Sequence, residues 1–215
     1  MKRALIVQGG WQGHEPKQVS CILAGALTRN GFEVVMSDSL DSFRDSEYLR
    51  TFDLLVPEWT MGKIENDQLK GLLDAVKGGI GIAGLHGGLG DSFREATEYQ
   101  FMVGGQWVAH PGNDGITYEV NICDIDDPLI EGLHDMTIVS EQYYMHVDPS
   151  NRVLMTTTFH TENGDVVMPV AWKRFYGEGR VFYCSLGHVA QVFDQDPQVI
   201  EIMTRGMLWA AGVTD

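Results

Sequence analysis

The most informative residues of this chain form a glycine-rich turn with a histidine at its centre. Residues 84–88 are Gly-Leu-His-Gly-Gly, the small-residue frame of a nucleophile elbow, and the apolar run 79–83 predicts a buried strand before it. Small neighbours permit the sharp strand-to-helix turn that places the central side chain in a cleft. Imidazole acts as base, acid or metal ligand but replaces a serine or cysteine nucleophile poorly. We therefore expect an amidotransferase- or hydrolase-like scaffold with different chemistry at His86, and strained backbone angles at Gly87 or Gly88.

Further histidines follow predicted strands or their glycine-rich turns. His14, His86 and His188 each stand at such a position, so we expect them to converge on one site. A hydrogen-bonded structural histidine is the usual alternative for any one of them, but three at successive strand ends favour a shared function. We assign catalytic roles to His86, His188 and Glu141. A divalent metal, with zinc the best match, would take its ligands from His14, His110 and His146.

Aromatic residues in the predicted loops indicate a sugar-binding surface. Aromatic rings combine a large apolar face with, in tyrosine and tryptophan, a polar group, which suits the C–H face of a pyranose. Core or interface packing is the alternative for each tryptophan, and a structural ion pair is the alternative for the arginine. Glu58, which directly follows Pro57 at a strand end, is a further functional candidate. The residues expected to bind substrate are Trp11, Trp59, Trp107, Tyr143 and Arg174.

The first half of the chain alternates between strand and helix patterns. Pro16 near the start and Gly31 beyond the end delimit the first helix. Such alternation predicts a parallel sheet with helices on both faces and ligand sites beyond the carboxyl ends of the strands. Residues 9–14, 57–62 and the His86 turn should therefore share one rim. The predicted strands are 3–8, 32–36, 52–56 and 79–83, and the predicted helices are 16–30 and 65–77.

The second half is rich in short β-type runs and ends in an amphipathic helix over 197–211. These runs predict an antiparallel extension of the sheet. The sequence contains no internal repeat or linker-like segment, so we expect one domain over residues 1–215. The runs lie at 116–122, 137–139, 153–159, 168–173 and 180–184.

Composition excludes several classes of partner. The net charge is −15, from 15 Lys and Arg against 30 Asp and Glu, which argues against nucleic acids and anionic membranes as partners. No apolar run approaches the roughly 18–20 residues of a membrane span, and the short apolar run after Arg3 predicts a first strand rather than a signal peptide. The three cysteines cannot all pair and form no C-x-x-C motif, which fits a reducing compartment. We expect a cytoplasmic protein.

Short motifs in a fixed order run through the chain. They are 84–86 (Gly-Leu-His), 104–111, 127–133, 141–143, 169–172 (Pro-Val-Ala-Trp), 176–183, 186–188 (Leu-Gly-His) and 209–212 (Trp-Ala-Ala-Gly). This ordered set resembles that of the trehalose-utilisation (ThuA-like) family over nearly the whole chain. The resemblance implies the class I glutamine amidotransferase-like superfamily and a flavodoxin-like three-layer α/β fold, with a mostly parallel central sheet and a β-rich C-terminal extension. His86 would replace the elbow cysteine of that superfamily, and His188 would match its late histidine, so glutaminase activity should be absent.

The resemblance also implies a role in sugar catabolism. The expected substrate is a disaccharide or an oxidised 3-keto glycoside, processed by isomerisation, elimination or glycosidic cleavage with histidine and metal assistance. The alternative is a non-catalytic sugar-binding or regulatory protein on the same fold. We expect a small-molecule sugar partner, no nucleotide cofactor and a homo-oligomer. Residues 10–14 contain fewer histidines than the family's usual first loop, which leaves the number of metal ligands open.

Overall fold

A computed structural model describes residues 1–123 and 125–214 of the chain. Its first half alternates strands with helices, as the sequence pattern predicts. The elements are β1 (Arg3–Gly10), α1 (Pro16–Arg29), β2 (Glu33–Ser37), α2 (Ser46–Leu49), β3 (Leu54–Thr60), α3 (Asn66–Lys77), β4 (Gly81–Leu85), α4 (His86–Gly90) and α5 (Thr97–Val103). Short 3₁₀ turns cover Gln12–His14 and Leu40–Phe43.

Strands dominate the second half until the C-terminal helix. They are β5 (Gly105–Ala109), β6 (Ile116–Ile122), β7 (Met136–Ser140), β8 (Tyr144–Val147), β9 (Arg152–Thr161), β10 (Gly164–Tyr176) and β11 (Gly179–Cys184). A 3₁₀ turn (Ala190–Asp194) then leads into α6 (Pro197–Ala210). Among the described residues, no helix is long and apolar enough to cross a bilayer.

The main sheet has nine strands in the order β2-β1-β3-β4-β11-β10-β9-β6-β7. Strands β2, β1, β3, β4 and β11 run parallel to their neighbours in that series. The pairings from β11 to β7 are antiparallel. The fold is therefore mixed α/β, and the expectation of a mostly parallel sheet is only partly correct.

Connection length explains this mixed topology. Short hairpin turns join β9 to β10 and β10 to β11, and such turns connect only antiparallel strands, whereas parallel pairs require a crossover. Strand β11 therefore pairs antiparallel with β10 and parallel with β4, although its sequence was grouped with the antiparallel runs. Strands β5 and β8 form a separate two-stranded sheet beside the carboxyl ends.

Two apolar cores flank the parallel half of the sheet. In β1, Ala4 and Ile6 point to the core that contains α1 and α6, while Leu5 and Val7 point to the core that contains α3 and α5. Successive residues of a strand face opposite sides, so a strand covered on both faces is apolar at every position. This burial fixes the register of the central strands and therefore the position of the loops at their carboxyl ends.

Candidate metal centre

The predicted elbow is present, but its strain lies on the histidine. Strand β4 ends at Leu85, and His86 immediately opens α4 with φ 41°, while Gly87 and Gly88 do not have positive φ. The expectation of strained angles at Gly87 or Gly88 is therefore wrong. The glycines are needed for space instead, because a Cβ at Gly87 would lie 2.5 Å from the His14 ring and one at Gly88 would overlap the Glu58 carboxyl group.

Hydrogen bonds to the backbone of α4 hold the strained residue in place. The Tyr183 hydroxyl donates to the His86 carbonyl oxygen at 3.0 Å, and the Ser92 hydroxyl donates to the Gly88 carbonyl oxygen at 2.9 Å. A left-handed conformation at a non-glycine residue costs about 1–3 kcal/mol and persists where its surroundings over-determine it. The turn thus fixes the direction of the His86 side chain, which is buried among other polar groups rather than open to solvent.

Four buried side chains meet at this turn. His14 lies in the turn after β1, His86 after β4, His188 after β11 and Glu141 between β7 and β8. One nitrogen or oxygen from each falls within 4.8 Å of the other three. We call His14, His86, Glu141 and His188 the donor group.

The distances within the donor group suit a tetrahedral ion. From Glu141 Oε2 they are 3.1 Å to His86 Nε2, 3.4 Å to His188 Nδ1 and 3.8 Å to His14 Nε2. His188 Nδ1 lies 3.3 Å from His86 Nε2. A tetrahedron with zinc–nitrogen bonds of about 2.0–2.1 Å has edges of about 3.3–3.4 Å. The residues present therefore fit a divalent metal.

Hydrogen bonds outside the donor group fix two of its rings. His86 Nδ1 lies 2.7 Å from the Ser185 carbonyl oxygen, so Nδ1 carries the proton and Nε2 presents its lone pair to Glu141. His14 Nδ1 is 2.8 Å from the Thr60 hydroxyl. Metal-binding histidines are commonly oriented in this way through their second nitrogen.

Burial controls the charges of the donor group. It lowers the pKa of His86 to about 4 and also lowers that of His188, so both imidazoles are neutral near pH 7. Burial favours protonation of Glu141, but its surroundings, in which the contact with His14 is the largest influence, hold its pKa below the ordinary value. Lone pairs of a carboxylate and neutral imidazoles thus face one another, an arrangement that a shared cation stabilises.

A cavity of about 160 Å³ opens beside the donor group. Larger cavities of about 410 and 700 Å³ lie elsewhere, and none of the donor-group residues lines them. The exposed fraction of Trp11 is 48%, which places its ring at the cavity mouth. The lining residues are Trp11, His14, Met61, Asp91, Arg94, Trp107, His110, Glu141 and Tyr143.

Comparison with known proteins assigns the chain to a family. The family model described as trehalose utilisation matches residues 3–210. The chain belongs to the ThuA family. No curated protein matches this ThuA-family chain in sequence.

Solved structures show the same fold. A ThuA-like protein from Parabacteroides merdae is 18% identical, with a TM-score of 0.78 over 99% of this chain and 91% of that chain. A ThuA-like protein from Bacteroides uniformis is 14% identical, with a TM-score of 0.80 over 100% and 92%. A cytoplasmic protein from Salmonella typhimurium is 11% identical, with a TM-score of 0.66 over 99% and 98%. At these identities the likeness concerns the fold alone.

The ThuA-family site brings together most of the residues singled out in the sequence. The three predicted catalytic residues, His86, His188 and Glu141, lie in the donor group with His14. His110 lies outside the donor group, with Nε2 3.9 Å from Glu141 Oε1, and it lines the cavity. Trp11, Trp107 and Tyr143 line the cavity too. The Tyr143 ring stacks on His86, with 3.9 Å between ring centroids.

Three of the residues predicted to bind metal or substrate lie neither in the donor group nor in the lining of this cavity. His146 is exposed on β8, opposite Gln106, because alternate residues of that strand point to solvent. Trp59 packs against the backbone of Gly9 and Gly62. Arg174 is buried and pairs with Asp148 at 3.2 Å. Trp59 and Arg174 thus match the alternatives considered from the sequence, which were packing for the tryptophan and a structural ion pair for the arginine.

Two lining residues, Asp91 and Arg94, were missed in the sequence. Arg94 Nε and Nη2 donate to the two Asp91 carboxylate oxygens at 2.6 and 2.8 Å. The Arg94 guanidinium also lies 4.3 Å from the centroid of the Trp107 ring. The signal that the sequence offered for this pair was that the two charged residues lie three positions apart, directly after the glycine-rich turn.

Glu58 is fully buried beneath α4, beside Gly88, and its Oε2 atom has no hydrogen-bond partner among the described residues. Burial raises the pKa of Glu58 well above 4.5, so the folded protein keeps this carboxyl group neutral. In the unfolded chain it ionises at its ordinary pKa. Between these two pKa values unfolding releases a proton, and stability falls as pH rises.

Replacing Glu58 with glutamine should therefore flatten the pH dependence of stability. The variant cannot ionise, so its free energy of unfolding relative to the wild type should increase from pH 5 to pH 8. Urea denaturation at both pH values measures this difference. Glu98→Gln, a change at an exposed position, is the matched control and should leave the pH dependence unchanged. Parallel curves for Glu58→Gln and wild type would show that Glu58 is ionised in the folded protein.

Proposed function

We propose that this ThuA-family protein is an enzyme of sugar catabolism that processes a disaccharide or an oxidised 3-keto glycoside by metal-assisted acid–base chemistry. The observation that carries the proposal is the donor group, buried beside a cavity with aromatic walls. The description of the family as trehalose utilisation supports a sugar as the substrate. A cytoplasmic location fits this role.

The donor group would hold the divalent ion, with zinc best suited to three imidazoles and one carboxylate. Bound there, the ion would act as a Lewis acid toward an oxygen of the substrate, which would have to join the four side chains as a fifth ligand. The tight turn at His86 and the hydrogen bonds to Ser185 and Thr60 orient the rings before any ion binds. Such preorganisation lowers the cost of binding.

The charges around the cavity support a role for a divalent ion in the reaction. Among the described lining residues, Glu141 and Asp91 carry negative charge and Arg94 carries the permanent positive charge. The carboxylates and the guanidinium of the lining are therefore negative overall, which disfavours the oxyanion that develops when a proton leaves the carbon beside a ketone. A divalent ion would reverse the sign and stabilise that charge.

His110 is our candidate for the general base. It lines the cavity but lies outside the donor group, so its imidazole is free for proton transfer. Isomerisation and elimination of a keto sugar both begin by removal of an acidified C–H proton, and elimination also breaks the glycosidic bond. The phenol ring of Tyr143 and the exposed ring of Trp11 form walls against which a pyranose can pack.

Glutaminase activity should be absent. The elbow carries His86, and the cysteines at positions 21, 123 and 184 lie elsewhere in the chain. A nucleophilic thiol is what the amidotransferase reaction requires at this position. The related alternative is a protein that binds a sugar at this site without turning it over.

Turnover assays with and without a chelator test the proposal. Purified protein would be analysed for metal and incubated with 3-ketotrehalose and with trehalose, and the products would be identified by NMR. We expect turnover of one of these sugars, loss of activity with a strong chelator and recovery with zinc. Sugar binding without turnover would favour the binding protein, and turnover that resists the chelator would exclude metal assistance.

A further inference from the structure

One part of the cavity wall contains a paired arginine and aspartate supported by a tryptophan. It consists of Asp91, Arg94 and Trp107, all of which line the cavity. Asp91 is 4% exposed and binds the Arg94 guanidinium through both carboxylate oxygens. Trp107 lies beneath that guanidinium, 4.3 Å from ring centroid to Arg94 Cζ. The Arg94 side chain is 48% exposed, and these two contacts hold its guanidinium in place at the edge of the cavity.

The backbone around this wall is also held in an unusual conformation. Met61 and Phe93 have φ angles of 59° and 48°. The Met61 N–H donates to the Asp91 carbonyl oxygen at 2.8 Å, and the Phe93 N–H donates to the Met61 carbonyl oxygen at 3.1 Å. Strained non-glycine residues that are fixed by hydrogen bonds concentrate at ligand sites. The strain keeps Asp91, and with it Arg94, at a set position in the cavity wall.

The contacts of Arg94 determine which of its atoms can meet a ligand. Asp91 accepts one hydrogen bond each from Nε and Nη2, which leaves both N–H donors of Nη1 and the second N–H of Nη2 for another acceptor. The guanidinium covers the Trp107 ring, so Trp107 supports Arg94 instead of stacking on a sugar. Trp11, at the cavity mouth, keeps an exposed ring for that contact.

We infer that Arg94, positioned by Asp91 and Trp107, is a substrate-binding residue that selects a neutral sugar ring by donating from Nη1 to a hydroxyl or carbonyl oxygen. The inference rests on the proposed sugar-processing function and deepens it. It places one sugar ring between Arg94 and the donor group. At about 160 Å³ the cavity is smaller than the roughly 300 Å³ of the smallest pockets for drug-sized ligands, so the remainder of a glycoside would extend past Trp11.

The charges beside Arg94 explain why the bound sugar ring should be neutral. Asp91 already balances the positive charge of Arg94, and the ion held by the donor group would offset the charge of Glu141. A sugar acid bound to Arg94 would place a second carboxylate beside Asp91 at one guanidinium, and like charges at short distance repel. A hydroxyl group uses the remaining N–H donors without adding charge. The site should therefore discriminate against uronic acids.

Binding of a matched pair of sugars tests the inference without requiring turnover. Glucose and glucuronate share the pyranose ring and differ at C6, and their affinities would be measured by isothermal titration calorimetry on the metal-loaded protein. We expect wild type to bind glucose at least about 10-fold more tightly than glucuronate. Arg94→Met should weaken glucose binding by about 10- to 100-fold, the usual range for hydrogen bonds to a charged group.

Two further variants guard against a folding defect. Arg94→Met leaves the buried Asp91 carboxylate unpaired, so the double variant Asp91→Asn/Arg94→Met removes both charges and should weaken glucose binding to the same extent. Arg50→Met is the matched control, because Arg50 lies on the exposed surface and pairs with exposed Glu47. It should bind glucose like the wild type. Circular dichroism would establish that each variant is folded.

Unchanged glucose affinity in both folded Arg94 variants would overturn the inference, and so would a wild type that binds neither sugar. Tighter binding of glucuronate, lost on Arg94→Met, would overturn the claim that the substrate is neutral. Failure of the proposed enzymatic function would look different. In that case glucose binding would still depend on Arg94, while 3-ketotrehalose and trehalose would remain unconverted.

Discussion

Replacing His86 with alanine is expected to remove the bound divalent ion and to lower kcat/KM on the true substrate by about 10²- to 10⁴-fold. His86 Nε2 is the atom closest to Glu141 Oε2 in the donor group, at 3.1 Å. Loss of a residue that merely orients a ligand already costs about 10- to 100-fold in metal affinity, so loss of a ligand itself should cost more. Metal analysis by mass spectrometry and steady-state kinetics measure the two effects.

His146→Ala is the matched control for this experiment. His146 is an exposed histidine outside the donor group, so its loss should change neither metal content nor activity. Because the His86 side chain is 1% exposed, His86→Ala should also lower the free energy of unfolding, which urea denaturation would quantify. Full metal content in folded His86→Ala would rule out His86 as a ligand. Full metal loss in His146→Ala would place the centre elsewhere.

The fold and the rim of the site could be predicted because their signals are local. Glycine at positions 87 and 88 marks the sharp turn after β4, and Pro16 marks the start of α1. Alternation of strand and helix patterns then places the first loops at the carboxyl ends of parallel strands. The antiparallel pairing of the later strands was predicted as well, but the parallel pairing of β11 with β4 was not, because it joins strands that are far apart in the chain.

The role of each histidine could not be predicted, because it depends on which way the ring points. His146 lies close to Glu141 in sequence, but strand alternation in β8 turns its side chain to solvent. His86 and His188 looked like acid–base residues, yet both rings point into one donor group with His14. Only the partners of the second ring nitrogen, such as the Ser185 carbonyl group, fix these directions.

The pair formed by Asp91 and Arg94 was missed for a similar reason. Charged residues three positions apart are common on exposed surfaces, where their pairing contributes little. Here the left-handed conformations at Met61 and Phe93 turn the segment inward and bury Asp91. No propensity favours such angles at these residue types, so the sequence contains no local signal for them.

Replacing His110 with alanine should separate proton transfer from metal binding. His110 lines the cavity, and its Nε2 atom is 3.9 Å from Glu141 Oε1, on the side of the carboxylate away from the donor group contacts of Oε2. If it serves as the general base, kcat should fall by about 10²- to 10⁴-fold while the metal content stays at the wild-type level. Steady-state kinetics and metal analysis on the same preparation measure both quantities.

Chemical rescue distinguishes a base from a residue that only shapes the cavity. The alanine variant leaves space for a small molecule, so added imidazole should restore part of kcat in His110→Ala. The same addition should not restore activity in His86→Ala, whose deficit is the missing ion. Zinc-dependent recovery of His110→Ala would instead make His110 a fifth ligand, and unchanged kcat would transfer the role of base to another residue of the cavity. Tyr143 would then be the next to test, because its ring lies against His86 in the same cavity.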